Sequence, residues 1–243
     1  MTFRSSATTH VGMVRKVNQD SFAEREDIGV WAVADGMGGH EAGEIASKTL
    51  TDFIKGLEPC ENMESTLTAV EQSIMAANRQ LTQQAASYES QRKPGSTIAA
   101  LIIDGDRGAV VWAGDSRVYR CRDQVISQLT RDHSHVQELV EQGVILQSEA
   151  ESHPKANMIT RAVGAHYLLN LDSMRIDVRR DDQFLLCSDG LSRLVSNEEI
   201  ESMMINKDSK EVVRSLLDTA LARGADDNVT LICVKDTKEG ALP

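Results

Sequence analysis

Four aspartates each stand at one end of a mostly apolar, strand-length run of residues. Asp35 follows the run 28–34, Asp115 the run 109–114 and Asp189 the run 184–188, while Asp227 precedes the run 229–234. One aspartate at a strand end is common turn chemistry. Buried carboxylates cannot converge without a counter-ion, because each close pair forces one member to stay protonated. The four side chains therefore either diverge into solvent or bind divalent cations.

The type of ligand selects the cation. Carboxylate, glycine carbonyl and water oxygens suit Mg²⁺ or Mn²⁺ rather than zinc. Two such ions about 3.5–4 Å apart can activate a shared water for in-line displacement at phosphorus. Arg15 is the candidate phosphate ligand, because its planar guanidinium can hold two phosphate oxygens. The alternative for Arg15 is an exposed arginine without a role in chemistry.

The glycine-rich segment 35–40 also allows a different interpretation. A strand, a glycine-rich turn and a helix form a dinucleotide site, but its glycine pattern requires glycine where Glu41 stands. An aspartate that opens the turn would repel a diphosphate, and no Gly-Lys-Ser/Thr follows, which excludes a P-loop. The segment therefore favours a metal site, in which the bound metal ion in turn contacts a phosphate, over a dinucleotide site.

Periodicity predicts the elements that position these residues. Amphipathic helices are predicted over residues 41–57 and 64–86, each covering one face of a sheet. Short links between the runs 97–103, 109–113, 117–122 and 124–128 predict an antiparallel meander. Asp104-Gly105 repeats the dipeptide at 35–36 but lies in a hairpin-length link, so we interpret it as a turn.

The second half begins with a mostly polar insertion. Residues 133–158 contain one short helix that ends at Gly143 and predict a surface insertion or lid. Beyond it, the patterns predict a strand over 184–188 and a helix after the capping box Ser196 to Glu199. A helix over 211–223 that ends at Gly224 and a strand over 229–234 follow.

Composition limits the class of protein. The 243 residues, 41% of them hydrophobic, suffice for one large domain. A formal net charge of −11 argues against broad nucleic-acid binding. Four cysteines without any CxxC pair indicate reduced side chains rather than a zinc or disulfide framework. Apolar runs are too short for a membrane span and the N-terminus lacks a signal-peptide core, so we expect a cytoplasmic protein.

Eight segments, in order along most of the chain, resemble the metal-dependent Ser/Thr protein phosphatases of type 2C, the PPM family, in their compact bacterial form. They are Arg15-Lys-Val-Asn-Gln-Asp20, Asp35-Gly-Met-Gly-Gly-His40, Gly95-Ser-Thr97, Ala113-Gly-Asp-Ser-Arg117, Leu129-Thr-Arg-Asp-His-Ser134, Ile159-Thr-Arg-Ala-Val-Gly164, Leu186-Cys-Ser-Asp-Gly-Leu191 and Asp227-Asn-Val-Thr230.

The resemblance implies an α+β fold, a four-layer αββα sandwich in which two central antiparallel β-sheets are flanked by helix pairs. It places the site in the cleft between the sheets, within a single phosphatase domain of residues 1–243 that includes a small flap over approximately 135–158.

The resemblance also implies two to three Mn²⁺ or Mg²⁺ ions and assigns their ligands. Asp35 bridges two core ions, the Gly36 carbonyl binds one, and Asp189 and Asp227 hold the other. Asp115 joins Asp189 at a weaker third site. From outside the metal shell, Asp20 orients metal-bound water and Arg15 binds the substrate phosphate.

Two positions depart from the pattern of many relatives. Met37 stands where animal members have a histidine that is a candidate general acid, so protonation of the leaving group must come from metal-bound water or another side chain, for which His40 is the candidate. The alternative for His40 is packing at the helix start. Gln19 stands where many relatives have glutamate, so one metal is expected to bind more weakly and more through water.

These residues predict direct hydrolysis of phosphoserine and phosphothreonine in proteins by a hydroxide that bridges two metal ions. No cysteine nucleophile in a Cys-x₅-Arg loop is expected, since Asp189 and Gly190 follow Cys187. We expect phosphoprotein substrates, an opposing Hanks-type Ser/Thr kinase, a monomer, and no nucleic-acid or membrane partner. The alternatives are a non-catalytic regulator that binds phosphoproteins and a hydrolase of small phosphate esters.

Overall fold

The computed structural model describes residues 1–38, 41–85, 94–150, 152–205 and 207–237. In chain order the strands are β1 (Phe3–His10), β2 (Asp20–Arg25), β3 (Val30–Met37), β4 (Gly95–Ser96), β5 (Ile98–Asp104), β6 (Arg107–Ala113), β7 (Arg117–Arg122), β8 (Val125–Gln128), β9 (Asp172–Asp177), β10 (Gln183–Cys187) and β11 (Val229–Asp236). The helices are α1 (Glu41–Lys55), α2 (Met63–Ala85), α3 (His135–Glu141), α4 (Asp189–Ser192), α5 (Asn197–Met204) and α6 (Ser209–Ala222), with a 3-10 turn at Gln147–Glu149.

The strands form two antiparallel sheets. The first sheet has the order β1-β11-β10-β7-β8, and the second has the order β2-β3-β5-β6-β9, with β4 paired to β3. The central strands β5 and β6 are mostly apolar, and both of their faces are buried. In β5, Ile98, Ala100 and Ile102 face helices, while Ala99, Leu101 and Ile103 face the other sheet.

Three apolar layers separate the four layers of secondary structure. One lies between the second sheet and α1 and α2, one lies between the two sheets, and one lies between the first sheet and α4, α5 and α6. The predicted α+β, αββα sandwich of two antiparallel sheets is thereby confirmed. None of the described helices is long and apolar enough to cross a lipid bilayer.

The predicted meander over residues 97–128 is wrong at its centre. The pairs β5-β6 and β7-β8 are hairpins, and Asp104-Gly105 lies in the turn of the first one. However, β6 and β7 belong to different sheets, so residues 114–116 carry the chain from one sheet to the other. Gly114 permits this change of direction with a φ of 116°. A short link does not imply pairing when the chain changes layers.

Strand β9 was not predicted, because it is a polar edge strand. Its side chains alternate between half-buried and exposed, and it pairs with β6 only. The one-turn helix α4 was also missed, since four residues are too few for a periodic pattern.

Helix ends follow the predicted capping chemistry, with one helix starting earlier than expected. The Ser196 hydroxyl accepts from the Glu199 amide at the start of α5. A second capping box, Asp208 with Glu211, starts α6 at Ser209 rather than at 211. Gly143 and Gly224 follow helix ends with positive φ, as expected of C-terminal glycines.

Candidate metal and phosphate site

The topology brings the four aspartates to one edge of the sandwich. The end of β10 pairs with the start of β7 and with the start of β11, so the residues that flank these strand ends lie together. In the other sheet, the ends of β3 and β6 meet the start of β5. Asp35, Asp115, Asp189 and Asp227 therefore line a single open cleft of about 290 Å³ between the sheets.

Backbone packing places Asp35 at the floor of this cleft. The Thr97 hydroxyl accepts from the Asp35 amide at 3.0 Å, and the Ser96 hydroxyl donates to the Asp35 carbonyl at 2.9 Å. The next residue is Gly36, where a Cβ atom would lie 2.1 Å from the Gly43 carbonyl oxygen of α1. Glycine is required at position 36 because helix and strand approach there without room for a side chain.

The same kind of close approach holds Asp189 against Asp227. A Cβ at Gly190 would lie 2.0 Å from the Asn228 carbonyl oxygen. Asn228 also organises the loop that carries Arg15. Its side-chain Nδ2 donates to the Val11 and Val17 carbonyls, and its side-chain Oδ1 accepts from the Gln19 backbone amide at 2.7 Å. In the sequence, Asn228 was singled out only as part of a motif, although asparagine side chains commonly hydrogen-bond the backbone of loops.

Asp115 lies in the link between the sheets. Its neighbour Ser116 is within 2.7 Å, hydroxyl to hydroxyl, of Thr97, the same residue that holds the Asp35 amide. Thr97 therefore connects the backbone of Asp35 in one sheet to the loop of Asp115 that leads to the other.

Asp20 lies behind the cleft rather than in its lining. It faces Asp35 directly across the β2-β3 pair. Its side chain is buried, and its Oδ2 accepts from the Ser188 hydroxyl at 2.7 Å. This placement is compatible with the predicted role of holding a water from behind the metal ligands, which stays a prediction.

Burial and mutual repulsion perturb the carboxyl groups of the cleft. Loss of solvation is the largest cause, followed for Asp35 and Asp115 by the charges of neighbouring aspartates. The pKa of Asp20 is raised to about 7, that of Asp115 to about 8, and those of Asp35 and Asp189 are raised above their ordinary value. Such a group of carboxyls is stable only when protonated or when paired with cations.

Two arginines supply positive charge to the cleft. The Arg15 Nη2 donates to Asp227 Oδ2 at 2.7 Å, and this contact raises the pKa of Arg15. Arg193, which the sequence analysis did not consider, lies 3.6 Å from Asp189 at the i+4 position of the short helix region. The full lining of the cleft is Arg15, Gln19, Asp35, Gly36, Met37, Gly38, Thr97, Asp115, Asn157, Ile159, Asp189, Arg193 and Asp227.

The donor set fits hard divalent cations in kind. Its oxygens come from carboxylates and a glycine backbone, and buried Oδ1 atoms of Asp20 and Asp189 have no hydrogen-bond partner. Within the described ranges no three acidic, histidine or cysteine side chains form a group that could hold a metal ion as placed. Asp227 is turned towards Arg15. Metal binding therefore requires these carboxylates to reorient inside the cleft.

The remaining sequence predictions have mixed outcomes. Met37 lines the cleft at the end of β3 and offers no proton. His40, the candidate acid, lies outside the described residues. The sequence argument that no Cys-x₅-Arg spacing occurs at Cys187 is wrong, because Arg193 stands at that spacing from it. Cys187 is nevertheless fully buried on the helix side of its sheet, and burial raises its pKa to about 12, which leaves no thiolate nucleophile.

Comparison with known sequences is consistent with this geometry. The sequence model of the family Protein phosphatase 2C matches residues 3–229 of this chain. The serine/threonine phosphatase stp of Listeria monocytogenes is 32% identical over 235 residues, which cover 93% of this chain and 93% of that protein. PstP of Mycobacterium tuberculosis is 36% identical over 232 residues, 96% of this chain, and the chain spans 45% of its length.

Solved structures give the same result. PppA, described as a key regulatory component of T6SS in Pseudomonas aeruginosa, superposes with a TM-score of 0.90 at 38% identity, covering 97% of this chain and 98% of PppA. The catalytic domain of PstP in complex with two manganese ions superposes with a TM-score of 0.87 at 33% identity, covering 96% and 97% of the two chains. The chain belongs to the protein phosphatase 2C family.

Proposed function

We propose that this protein is a metal-dependent phosphatase that hydrolyses phosphoserine and phosphothreonine in proteins. The observation that carries the proposal is the group of desolvated, mutually repelling carboxyls that share one cleft with Arg15. Family membership supports the same activity, as does the manganese-bound structure of PstP.

Each residue has a proposed task in this reaction. Asp35, the Gly36 carbonyl, Asp189 and Asp227 would hold two core Mn²⁺ or Mg²⁺ ions, and Asp115 with Asp189 would hold a weaker third. When bound, these ions lower the pKa of water and offset the negative charge of the phosphoryl group. Asp20, whose carboxylate is oriented by the Ser188 hydroxyl, would accept a hydrogen bond from water at the site.

Arg15 binds the phosphate of the substrate. Its loop is braced by the side chain of Asn228 and by the hydrogen bond from the Met13 amide to the Ala225 carbonyl, 2.7 Å long. A braced loop presents the guanidinium in one place, which reduces the entropy lost on binding. The 55% exposure of the side chain leaves its remaining donors accessible.

The decisive experiment compares two Asp-Gly dipeptides. Asp35→Asn should reduce Mn²⁺-dependent phosphate release from a phosphothreonine peptide by more than roughly 100-fold, because a metal ligand is worth several kcal/mol of transition-state stabilisation. Asp104→Asn, in the exposed β5-β6 turn, is the matched control and should retain full activity. Near-normal turnover by Asp35→Asn would defeat the assignment.

The same assay separates the alternatives. Release from the peptide but little from a sugar phosphate, with loss in EDTA, supports a protein phosphatase. Preference for the sugar phosphate would indicate a hydrolase of small esters, and binding of the peptide without release would indicate a regulator. Protein kinases supply phosphoserine and phosphothreonine, so we propose a Ser/Thr kinase as the opposing enzyme. The monomeric state, the cytoplasmic location, the flap over 135–158 and the single domain stay predictions.

A further inference from the structure

His133 lies at the junction between the loop of Asp115 and the base of the polar insertion. It belongs to one of the segments that resemble the phosphatase family, but its sequence pattern indicates no particular role. The residue as a whole is 8% exposed. Burying an imidazole requires that its two nitrogens find partners, and the identity of those partners indicates what the residue does.

Both peptide groups of Gly114 are held by His133. The Gly114 amide donates to His133 Nδ1 at 3.1 Å, and the His133 amide donates to the Gly114 carbonyl at 2.9 Å. Gly114 has a φ of 116°, and a Cβ there would lie 2.6 Å from Thr97. The backbone immediately before Asp115 is therefore unusual in conformation and is held from two sides.

The remaining contacts fix the orientation of the imidazole ring. Because Nδ1 accepts from the Gly114 amide, Nε2 carries the ring hydrogen and donates to Asp172 Oδ2 at 3.1 Å. Asp172 is held in turn by Arg161, whose Nη1 donates to Oδ1 at 2.5 Å. The ring also stacks on Trp112 with 6.1 Å between centroids and 12° between planes. The ring is thus clamped at both nitrogens and on one face.

The backbone of His133 also contacts a second segment that lines the cleft. The His133 carbonyl accepts from the Thr160 amide at 2.7 Å. The next residue, Ser134, forms an isolated antiparallel β-bridge with Ile159. Ile159 lines the cleft together with Asp115. One residue therefore holds both the backbone beside a proposed metal ligand and the backbone next to Ile159.

We propose that His133 is a positioning residue that sets the place of Asp115 in the cleft and its distance from the wall at Ile159. It touches neither substrate nor metal. The effect on metal binding rests on the proposed function, whereas the effect on the Gly114 backbone does not. Partners that orient metal ligands from behind typically change metal affinity by 10–100-fold when they are removed.

A matched pair of amide substitutions separates the two ring contacts. The carbonyl oxygen of His133→Asn can replace Nδ1 as the acceptor for the Gly114 amide, but the side chain is too short to reach Asp172. The longer side chain of His133→Gln can replace Nε2 as a donor to Asp172, but it leaves the Gly114 amide without its acceptor. Both variants lose the stacking on Trp112 equally, so each controls for the packing defect of the other.

Two measurements test the proposal in the full chain. Hydrogen exchange of the Gly114 amide, followed by NMR, should accelerate in His133→Gln and stay slow in His133→Asn. Calorimetric titration with Mn²⁺ should show affinity weakened on the order of 10-fold in His133→Gln. In an Asp115→Asn background the same substitution should add little, because coupled sites are not additive.

Three outcomes would overturn the proposal. The first is an equal rate of Gly114 amide exchange in His133→Asn and His133→Gln. The second is faster Gly114 exchange in His133→Gln with unchanged Mn²⁺ affinity. The third is an effect of His133→Gln on Mn²⁺ affinity that is as large in the Asp115→Asn background as in the wild-type protein. Failure of the proposed function is a separate result: the wild-type chain would release no phosphate from a phosphopeptide, while exchange and Mn²⁺ titration would still decide the role of His133.

Discussion

Asp20 is expected to make the stability of the metal-free protein fall as the pH rises. Its carboxyl is buried, and loss of solvation is the main cause that raises its pKa to about 7, despite hydrogen bonds from Ser188 and Thr230 that act in the opposite direction. The charges of Asp189 and Asp227 raise it further. The perturbation we consider is Asp20→Asn, which keeps the shape of the side chain and removes its ionisation.

The sign of the effect follows from proton linkage. Below pH 4 the carboxyl is protonated in both the folded and the unfolded chain. Between about pH 4 and 7 the unfolded chain loses this proton while the folded chain retains it, so the free energy of unfolding decreases with rising pH. A pKa raised from 3.8 to about 7 corresponds to a loss of roughly 4 kcal/mol at 25 °C. For a chain of this size that is a fall in Tm of about 10 °C.

The assay is urea unfolding between pH 4 and 8, in EDTA and in excess Mn²⁺. In EDTA the wild-type protein should lose stability as the pH rises, and Asp20→Asn should lose less by the share of this one carboxyl, while Asp35, Asp115 and Asp189 keep the remaining pH dependence. In Mn²⁺ the dependence should flatten, because bound cations offset the carboxylate charges and also stabilise the folded state by mass action. Asp104→Asn, at an exposed turn, should follow the wild-type curve.

Two results would refute this reasoning. One is metal-free protein that is as stable at pH 8 as at pH 5. The other is a pH dependence that Asp20→Asn leaves unchanged, since the ionisation responsible would then lie elsewhere. Either result would mean that the carboxyls of the cleft are better solvated than their contacts indicate.

Two further predictions concern the binding of phosphate and metal. Arg15→Ala should raise the KM for a phosphothreonine peptide by roughly 10-fold or more, because it removes one charged hydrogen bond to the phosphate, and Mn²⁺ affinity should change little. Arg4→Ala, which removes a different exposed arginine, is the control. An effect of Arg15→Ala confined to Mn²⁺ affinity would contradict the assignment. Gln19→Glu should lower the Mn²⁺ concentration needed for half-maximal activity by several-fold, because it adds an anionic oxygen ligand to the cleft lining; an unchanged Mn²⁺ titration would show that Gln19 does not contribute to metal affinity.

The sequence predicted elements whose pattern is local. The helices α1, α2 and α5 and the buried central strands were found within a few residues of their observed bounds, because periodicity and capping act over neighbouring positions. The polar edge strand Asp172–Asp177 escaped prediction, since a strand covered on one side only needs no continuous apolar run. The change of sheet at Gly114 also escaped, because a short link looks the same whether or not its strands pair.

By itself, then, the sequence determined the set of aspartates at strand ends and the resemblance to the family, and only through that resemblance the αββα class. Only the tertiary structure decided that Asp20 faces Asp35 across a strand pair, that Gly190 admits the backbone of Asn228, and that His133 braces the loop of Asp115. The physical reason is the separation along the chain between the residues that interact. Secondary structure reflects the chemistry of adjacent residues, whereas desolvation, repulsion and backbone bracing depend on which distant residues the fold brings within a few ångströms.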